Sequence, residues 1–127
     1  SVFNLWRRFD DDGVDAPFAL CDSRTVSEKE LIPTDLFNYG KEEEKTETLA
    51  DENGFTVEIY QSMNNDNHKW YFYPKMNRDE VVMFKTYDSN EKPFMPTLHS
   101  AFDDPDSQAR NVSPRESIEV RAICFFS

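Results

Sequence analysis

Two short segments in the last third of the chain carry the residue types that can do chemistry. His99 follows a stretch bounded by Pro93 and Pro96, and Arg115 and Ser117 stand 16 and 18 residues further on. A neutral imidazole is a good ligand for iron(II). An arginine fork can hold a carboxylate through two hydrogen bonds, and a serine two residues along the same strand face can add a third. The pattern therefore predicts a metal ligand at His99 and a carboxylate-binding pair at Arg115 and Ser117.

Each of these residues also has a purely structural interpretation. His99 can be an ordinary histidine at a strand end, and Arg115 an exposed residue that pairs with its neighbour Glu116. The second histidine, His68, directly follows the Asn-rich turn 64–67, which favours a surface role. Spacing alone leaves these alternatives open.

Most familiar catalytic motifs are absent from the chain. Its only glycines are Gly13, Gly40 and Gly54, which excludes a phosphate-cradling loop and a GxSxG nucleophile elbow. Neither histidine lies in HExxH, HxD or HxE, since Trp70 and Ala101 stand two residues after them. A facial triad of iron ligands needs two histidines and one carboxylate. We therefore assign one candidate metal ligand and no catalytic residue within the chain.

Composition excludes several classes of partner. The 127 residues carry a net charge of −11, which opposes binding to nucleic acid or to an anionic membrane surface. Aromatic residues make up 14% of the chain, which argues for a packed core rather than disorder. Cys21 and Cys124 form no CxxC or zinc pattern and are expected as reduced thiols in a cytoplasmic protein.

Hydrophobic patterning predicts a β-rich protein. The segments with apolar alternation or short apolar runs are 2–6, 55–60, 69–73, 81–84 and 115–126. Segment 81–84 is apolar on both faces, as expected for a strand that is covered on both sides. Residues 38–53 are strongly charged and predict a solvated loop. The pattern thus predicts a single domain over residues 1–127, built as a sandwich or jelly roll.

Six ordered blocks of sequence resemble the fungal cephem-methoxylase-like and gibberellin-desaturase-like oxygenases. The blocks are NLWR (4–7), DAPFALCD (15–22), HKWYFYP (68–74), DEVVMFK with YDS (79–89), HSAF with DP (99–105) and PRESIEVR (114–121). Because they run in order through almost the whole chain, they are more specific than any single motif. The resemblance implies a mainly β fold, a double-stranded β-helix (jelly roll), of which this chain would be the C-terminal part. It also implies oxidation of a small, natural-product-like substrate with Fe(II), O₂ and 2-oxoglutarate.

The resemblance also implies roles for individual residues. His99 would be the distal histidine ligand of Fe(II). Arg115, helped by Ser117, would hold the far carboxylate of 2-oxoglutarate. Three more residues would lie near the substrate, and these are Asn4, Trp6 and Arg7.

The chain departs from the pattern of that family in three places. Arg8 stands where a proline normally follows the Trp-Arg pair, Ser100 replaces a threonine, and residues 38–53 match little. The HxD motif that supplies the other histidine and the carboxylate lies upstream of the NLWR block in the family, and this chain starts almost at that block. We therefore expect an incomplete metal site.

Three hypotheses for the function follow. The chain is part of an active oxygenase whose remainder lies elsewhere, or it is a shortened relative without catalysis that acts as a binding or protein-interaction module. In the third, His68, His99 and a carboxylate such as Asp88 or Asp103 form an unorthodox metal site. A half jelly roll would expose apolar strand faces and edges. Besides a small-molecule substrate, we therefore expect an N-terminal segment that completes the fold, or a homo-oligomer.

Overall fold

The computed structural model describes residues 1–9, 15–39, 55–106, 112 and 114–126. In this part the chain forms β-strands joined by loops and two short 3-10 turns, so the β-rich prediction is confirmed. The strands are β1 Val2–Arg8, β2 Phe18–Cys21, β3 Leu31–Tyr39, β4 Phe55–Ser62, β5 Trp70–Phe72, β6 Val82–Tyr87, β7 His99–Ala101 and β8 Ser117–Ile123. The described helical turns include none that is long and apolar enough to span a bilayer.

Contacts group the chain into two compact units, Ser1–Val26 with Asp66–Ser127, and Ser27–Asn65. The single domain over residues 1–127 stays a prediction. The smaller unit is an antiparallel pair formed by β3 and β4. Since β3 continues through Tyr39, the predicted loop begins later than residue 38. The rest of that loop, residues 40–53, lies outside the described residues.

The larger unit contains two three-stranded antiparallel sheets, in the orders β6-β1-β8 and β5-β2-β7. The central strands β1 and β2 bury alternate residues, as a strand with one covered face should. The small core joins buried Trp6, Met76 and Phe84, with Phe18 and Leu20 packed against them. The two central strands therefore carry much of the packing that positions the site.

The buried face of β1 carries polar residues where a core strand would normally place apolar ones. Asn4 is 0% exposed, and both polar atoms of its side chain make a hydrogen bond. Its Nδ2 donates to Glu119 Oε1 at 2.6 Å, and Thr86 Oγ1 donates to its Oδ1 at 3.1 Å. A buried amide with partners on both sides ties β8 and β6 to β1. Departures from apolar patterning of this kind concentrate at functional sites.

The opposite face of the same sheet is apolar and open. Leu5 of β1 lies between Met83 of β6 and Val120 of β8 in the register of the strands. Met83 is 65% exposed and Val120 54% exposed. The prediction that segment 81–84 is covered on both faces is therefore wrong for this chain, because the side of β6 that carries Met83 is largely exposed. We call the row Leu5, Met83 and Val120 the open face.

Asp88 links the start of β1 to the end of β6. Its carboxylate accepts hydrogen bonds from Lys85 Nζ at 2.6 Å, from the Asn90 backbone N–H at 2.9 Å and from Ser1 Oγ at 3.1 Å. The bond from Lys85, followed by the one from the Asn90 backbone, lowers the pKa of Asp88 to about 2. The charged form is therefore the one that the folded state favours.

Replacing Asp88 by asparagine should remove a stabilisation that depends on pH. An unfolded aspartate has a pKa of about 3.9. Because the folded pKa is lower, the contribution is complete above about pH 5 and is lost as the pH falls through about 2. In urea unfolding, the variant should be less stable than the parent at pH 6, and this gap should shrink on acidification. Asp79→Asn, at an exposed turn position, is the control, and a gap of constant size would contradict the assignment.

Candidate functional site

A cavity of about 280 Å³ lies in the larger unit, against the buried face of β1. Its walls combine aromatic side chains with two cations, namely Trp6, Phe18, Tyr71, Phe72 and Tyr73 with Arg8 and Arg115. The strand alternation that buries Trp6 also turns residue 8 to the same side. A mostly apolar cavity with a few converging polar groups is the usual form of a small-molecule site, and this volume suits a small ligand.

Arg115 is held firmly at the cavity wall. Its Nη1 donates to the Ala16 carbonyl at 2.6 Å, and its backbone N–H donates to Asp15 Oδ1 at 3.1 Å. The guanidinium carbon lies 5.5 Å from the centroid of the Trp6 ring, within the range of a cation–π contact. A guanidinium has five N–H donors, so these contacts are compatible with a bidentate grip on an anion.

Ser117 is the first residue of β8 and lies directly opposite Arg8 of β1. Residues that face each other across an antiparallel pair point to the same side of the sheet. Ser117 therefore lies on the side of the sheet that carries Trp6 and the cavity. It is exposed and does not itself line the cavity.

His99 begins β7 and packs against two phenylalanine rings. Its ring centroid lies 4.8 Å from that of Phe84 and 5.9 Å from that of Phe18. Its Nδ1 is 3.1 Å from the carbonyl oxygen of Thr97. Since a carbonyl oxygen only accepts, Nδ1 is the donor in this bond, and in the neutral ring Nε2 is then the nitrogen with the lone pair. Histidine ligands of metals are commonly oriented in this way.

One stacked pair of rings joins the two halves of the predicted site. Trp6 and Phe18 stack with their centroids 4.3 Å apart and their planes 9° from parallel. Arg115 lies over the first of these rings, and His99 packs against the second. The structure thus brings the predicted metal ligand and the predicted carboxylate-binding arginine to the same aromatic wall.

The described residues do not make an iron site by themselves. Among residues 1–9, 15–39, 55–106, 112 and 114–126, no group of three His, Cys, Asp or Glu side chains is placed to hold a metal ion. The unorthodox site built from His68, His99 and Asp88 or Asp103 is therefore not formed. Asp88 is instead engaged with Lys85, as described above. His99 as a ligand of Fe(II) stays a prediction, and within the described residues it belongs to no such group of three.

The three residues predicted near the substrate lie in different places. Trp6 lines the cavity, whereas Asn4 is buried deeper on the same face and is bonded to Glu119. Arg7 points to the other side of β1, where its guanidinium carbon lies 5.7 Å from the centroid of the Phe9 ring. Their substrate roles stay predictions.

Sequence reasoning missed Arg8, which lines the cavity in the place that was expected for Arg7. The two-residue alternation of side chains along the strand already indicated Arg8. Counting in steps of two from buried Asn4 through Trp6 reaches residue 8 and skips residue 7.

The chain is similar to fungal oxidative enzymes along almost its whole length. It is 31% identical over 124 residues to the Fe(II)/2-oxoglutarate-dependent dioxygenase nvfI of Aspergillus novofumigatus, covering 98% of this chain and 40% of that protein. It is 28% identical over 128 residues to the hydroxylase/desaturase asaB of Aspergillus flavus, covering 99% of this chain and 55% of that protein. The chain therefore spans about half the length of these relatives.

A solved structure agrees with the sequence comparison. The iron and alpha-ketoglutarate-dependent endoperoxidase NvfI superposes with a TM-score of 0.72 at 30% identity, over 94% of this chain and 40% of that one. The described fold is thus part of the jelly roll of the 2-oxoglutarate oxygenases, and the predicted fold class is confirmed. The chain belongs to the family described as the oxidoreductase/YMDC permease-like domain, which matches residues 1–125.

Proposed function

We propose that this chain supplies the cosubstrate-binding part of an Fe(II)/2-oxoglutarate-dependent oxygenase that acts on a small, natural-product-like molecule. The observation that carries the proposal is the stacked pair Trp6 and Phe18, which holds Arg115 on one ring and His99 on the other. Arg115, with Ser117 beside it, binds the far carboxylate of 2-oxoglutarate. His99 binds Fe(II) through Nε2. We further propose that the oxygenase belongs to the cephem-methoxylase-like or gibberellin-desaturase-like subgroup.

The cavity chemistry suits a short dicarboxylate. Aromatic walls around a guanidinium lower the local dielectric, which strengthens its attraction for a carboxylate compared with water. The carbon chain of 2-oxoglutarate would pack against Phe18 and Leu20, which line the same space. Its keto-acid end would then point towards the Phe18 side, where His99 lies.

A further segment is needed to complete both the metal site and the fold. The open face formed by Leu5, Met83 and Val120 is apolar, and such a face is normally covered by another element. The relatives extend well beyond the part that this chain matches. We propose that an upstream segment of the same protein packs on the open face and supplies the remaining histidine and the carboxylate.

Iron binding by the chain alone and by the complete protein tests this proposal. In an anaerobic titration with Fe(II) and 2-oxoglutarate, the complete protein should develop the charge-transfer absorption of the chelated cosubstrate, and this chain alone should not. His99→Ala should abolish the absorption in the complete protein, because one of its three protein ligands is lost. His68→Ala is the matched control and should leave the absorption unchanged.

Two outcomes would contradict the proposal. Tight binding of Fe(II) by this chain alone would mean that its metal site is complete. No absorption from the complete protein, at saturating cosubstrate, would instead favour a relative that has lost catalysis and acts as a binding module. Sedimentation of the chain alone would show whether a second copy covers the open face in place of the upstream segment.

A further inference from the structure

We propose that Arg7 binds a carboxylate of the upstream segment that packs on the open face, and that this ion pair fixes the segment on β1. The inference rests on the proposed function, which covers the open face with an upstream segment of the same protein. It adds the chemistry of the contact, namely an apolar segment that carries an aspartate or glutamate over Arg7. This role differs from the substrate contact that the resemblance implies, because Arg7 points away from the cavity side of β1.

Arg7 stands at the end of the open face. Side chains alternate along β1, so Arg7 lies on the same side as Leu5, two residues away. The register sets Ile118 directly opposite Arg7, as it sets Val120 opposite Leu5. Ile118 is 48% exposed, so the apolar surface continues up to the arginine. A segment that runs along the open face therefore passes over Arg7.

The guanidinium of Arg7 has an unused donor. Its Nε is buried and makes no hydrogen bond within the part of the chain that the structure describes. The guanidinium carbon lies 5.7 Å from the centroid of the Phe9 ring, a contact that leaves the edge of the fork available. By contrast, Lys85 on the same face is paired with Asp88 and Glu91. In a chain with 25 acidic and 14 basic residues, this unused donor points to an acceptor elsewhere in the protein.

Covering the open face would remove water from this guanidinium. Burying a charge without a hydrogen-bonded counter-ion is costly, so a purely apolar segment would be opposed at Arg7. The Nε–H and one Nη–H lie on one edge of the guanidinium and can donate two parallel hydrogen bonds to a single carboxylate. A carboxylate at this place would offset the cost of burial, and its two bonds would set the position of the segment along β1.

The residues around Arg7 argue against a second copy as the cover. The partners that the register gives to Leu5 and Arg7 are Met83, Val120 and Ile118, and none of them is acidic. Two open faces in contact would therefore bring no carboxylate to Arg7 from these residues. The relatives are longer than this chain, which spans 40% of nvfI and 55% of asaB. A protein of that length has the additional chain that the proposal requires.

A zero-length cross-link in the complete protein identifies the partner. Arg7→Lys introduces an amine, which a water-soluble carbodiimide joins to a contacting carboxylate as an amide while the carbodiimide takes up the water. Digestion and mass spectrometry then locate the acidic residue, and we expect it upstream of the NLWR block. Lys85, whose Nζ lies 3.0 Å from Glu91 Oε1, is the internal positive control. The parent protein, which has no amine at position 7, is the negative control.

Stability measures the strength of the contact. In the complete protein, Arg7→Gln should raise the equilibrium constant for unfolding about ten- to hundredfold, because a carboxylate is left without its partner. Arg7→Lys keeps the charge without the planar fork and should lose less. Arg121→Gln removes the same charge from an exposed position of β8 and should change the constant by about twofold or less. Urea unfolding at pH 7 measures all three variants.

Three cross-linking results would overturn the inference. A link to the acidic run at residues 10–12 would place the partner within this chain. A link between two copies, detected in an isotopically mixed sample, would place it in a dimer. No link at position 7, while that of Lys85 forms, would show that no carboxylate contacts the arginine. An Arg7→Gln variant as stable as the parent would overturn it independently.

The iron titration of the same complete protein keeps the inference separate from the proposed function. Charge-transfer absorption without the expected cross-link would leave the metal and cosubstrate assignments standing and remove only the role of Arg7. The expected cross-link in a protein that develops no absorption would support the role of Arg7 and contradict the proposed function.

Discussion

Replacing Arg115 by glutamine should weaken the binding of 2-oxoglutarate by about thirtyfold or more. The Ala16 carbonyl and the Trp6 ring fix this side chain, so its fork is oriented before the ligand arrives. Removing one member of a desolvated, hydrogen-bonded charge pair costs roughly 2–5 kcal/mol, and the lower value corresponds to about thirtyfold. Glutamine keeps a polar group but not the charge. Arg115→Lys keeps the charge without the planar fork and should give a smaller loss.

The measurement is the affinity of the complete protein for 2-oxoglutarate, with Fe(II) present and oxygen excluded. Arg121→Gln serves again as the control, since it lies on the same strand and outside the cavity. If Arg115→Gln binds as tightly as the parent while His99→Ala still abolishes iron binding, the cosubstrate is held by other residues. The metal assignment would survive that result, and the carboxylate assignment would not.

Replacing Trp6 by alanine should lower the free energy of unfolding by about 3–5 kcal/mol, the range for removing a large buried aromatic side chain. Trp6 is 5% exposed and belongs to the cluster with Met76 and Phe84. Its ring also stacks on Phe18 and underlies Arg115. The substitution should therefore reduce both stability and ligand affinity. These two losses come from one side chain because the core and the cavity share a wall.

Urea unfolding with and without glutarate, a dicarboxylate that lacks the keto group of 2-oxoglutarate, separates the two effects. Trp6→Phe keeps an aromatic ring and should recover part of the stability and part of the affinity. Trp70→Ala, at a position that is 44% exposed, should cost clearly less than Trp6→Ala. A Trp6→Ala variant within about 1 kcal/mol of the parent would show that this cluster is not the core of the larger unit.

Local patterning predicted the elements well and their environment less well. Each of the patterned segments 2–6, 55–60, 69–73, 81–84 and 115–126 overlaps a strand, because alternation and β-branched or aromatic residues act locally. The exposed Met83 was not predicted, since an apolar run says nothing about which other segment covers it. Whether the face of a strand is covered depends on segments that are distant in the sequence.

The sequence by itself determined the chemistry that this chain can offer. Of its two histidines, His99 suits an oxygenase site together with the Arg-x-Ser pair, and the sequence contains no HxD or HxE. These are statements about residue types and near spacing, which folding does not change. The resemblance added the order of the blocks, and the relatives bear out the broader class.

Tertiary structure alone decided which side chains meet. The stack of Trp6 on Phe18 joins residues from two different sheets, and through it Arg115 and His99 reach one wall. The register of β1 against β8 sets Arg8 opposite Ser117, and a shift by one residue would have turned Arg7 to the cavity instead. Register depends on pairing between residues more than 100 positions apart in the chain, so no local pattern could have specified it.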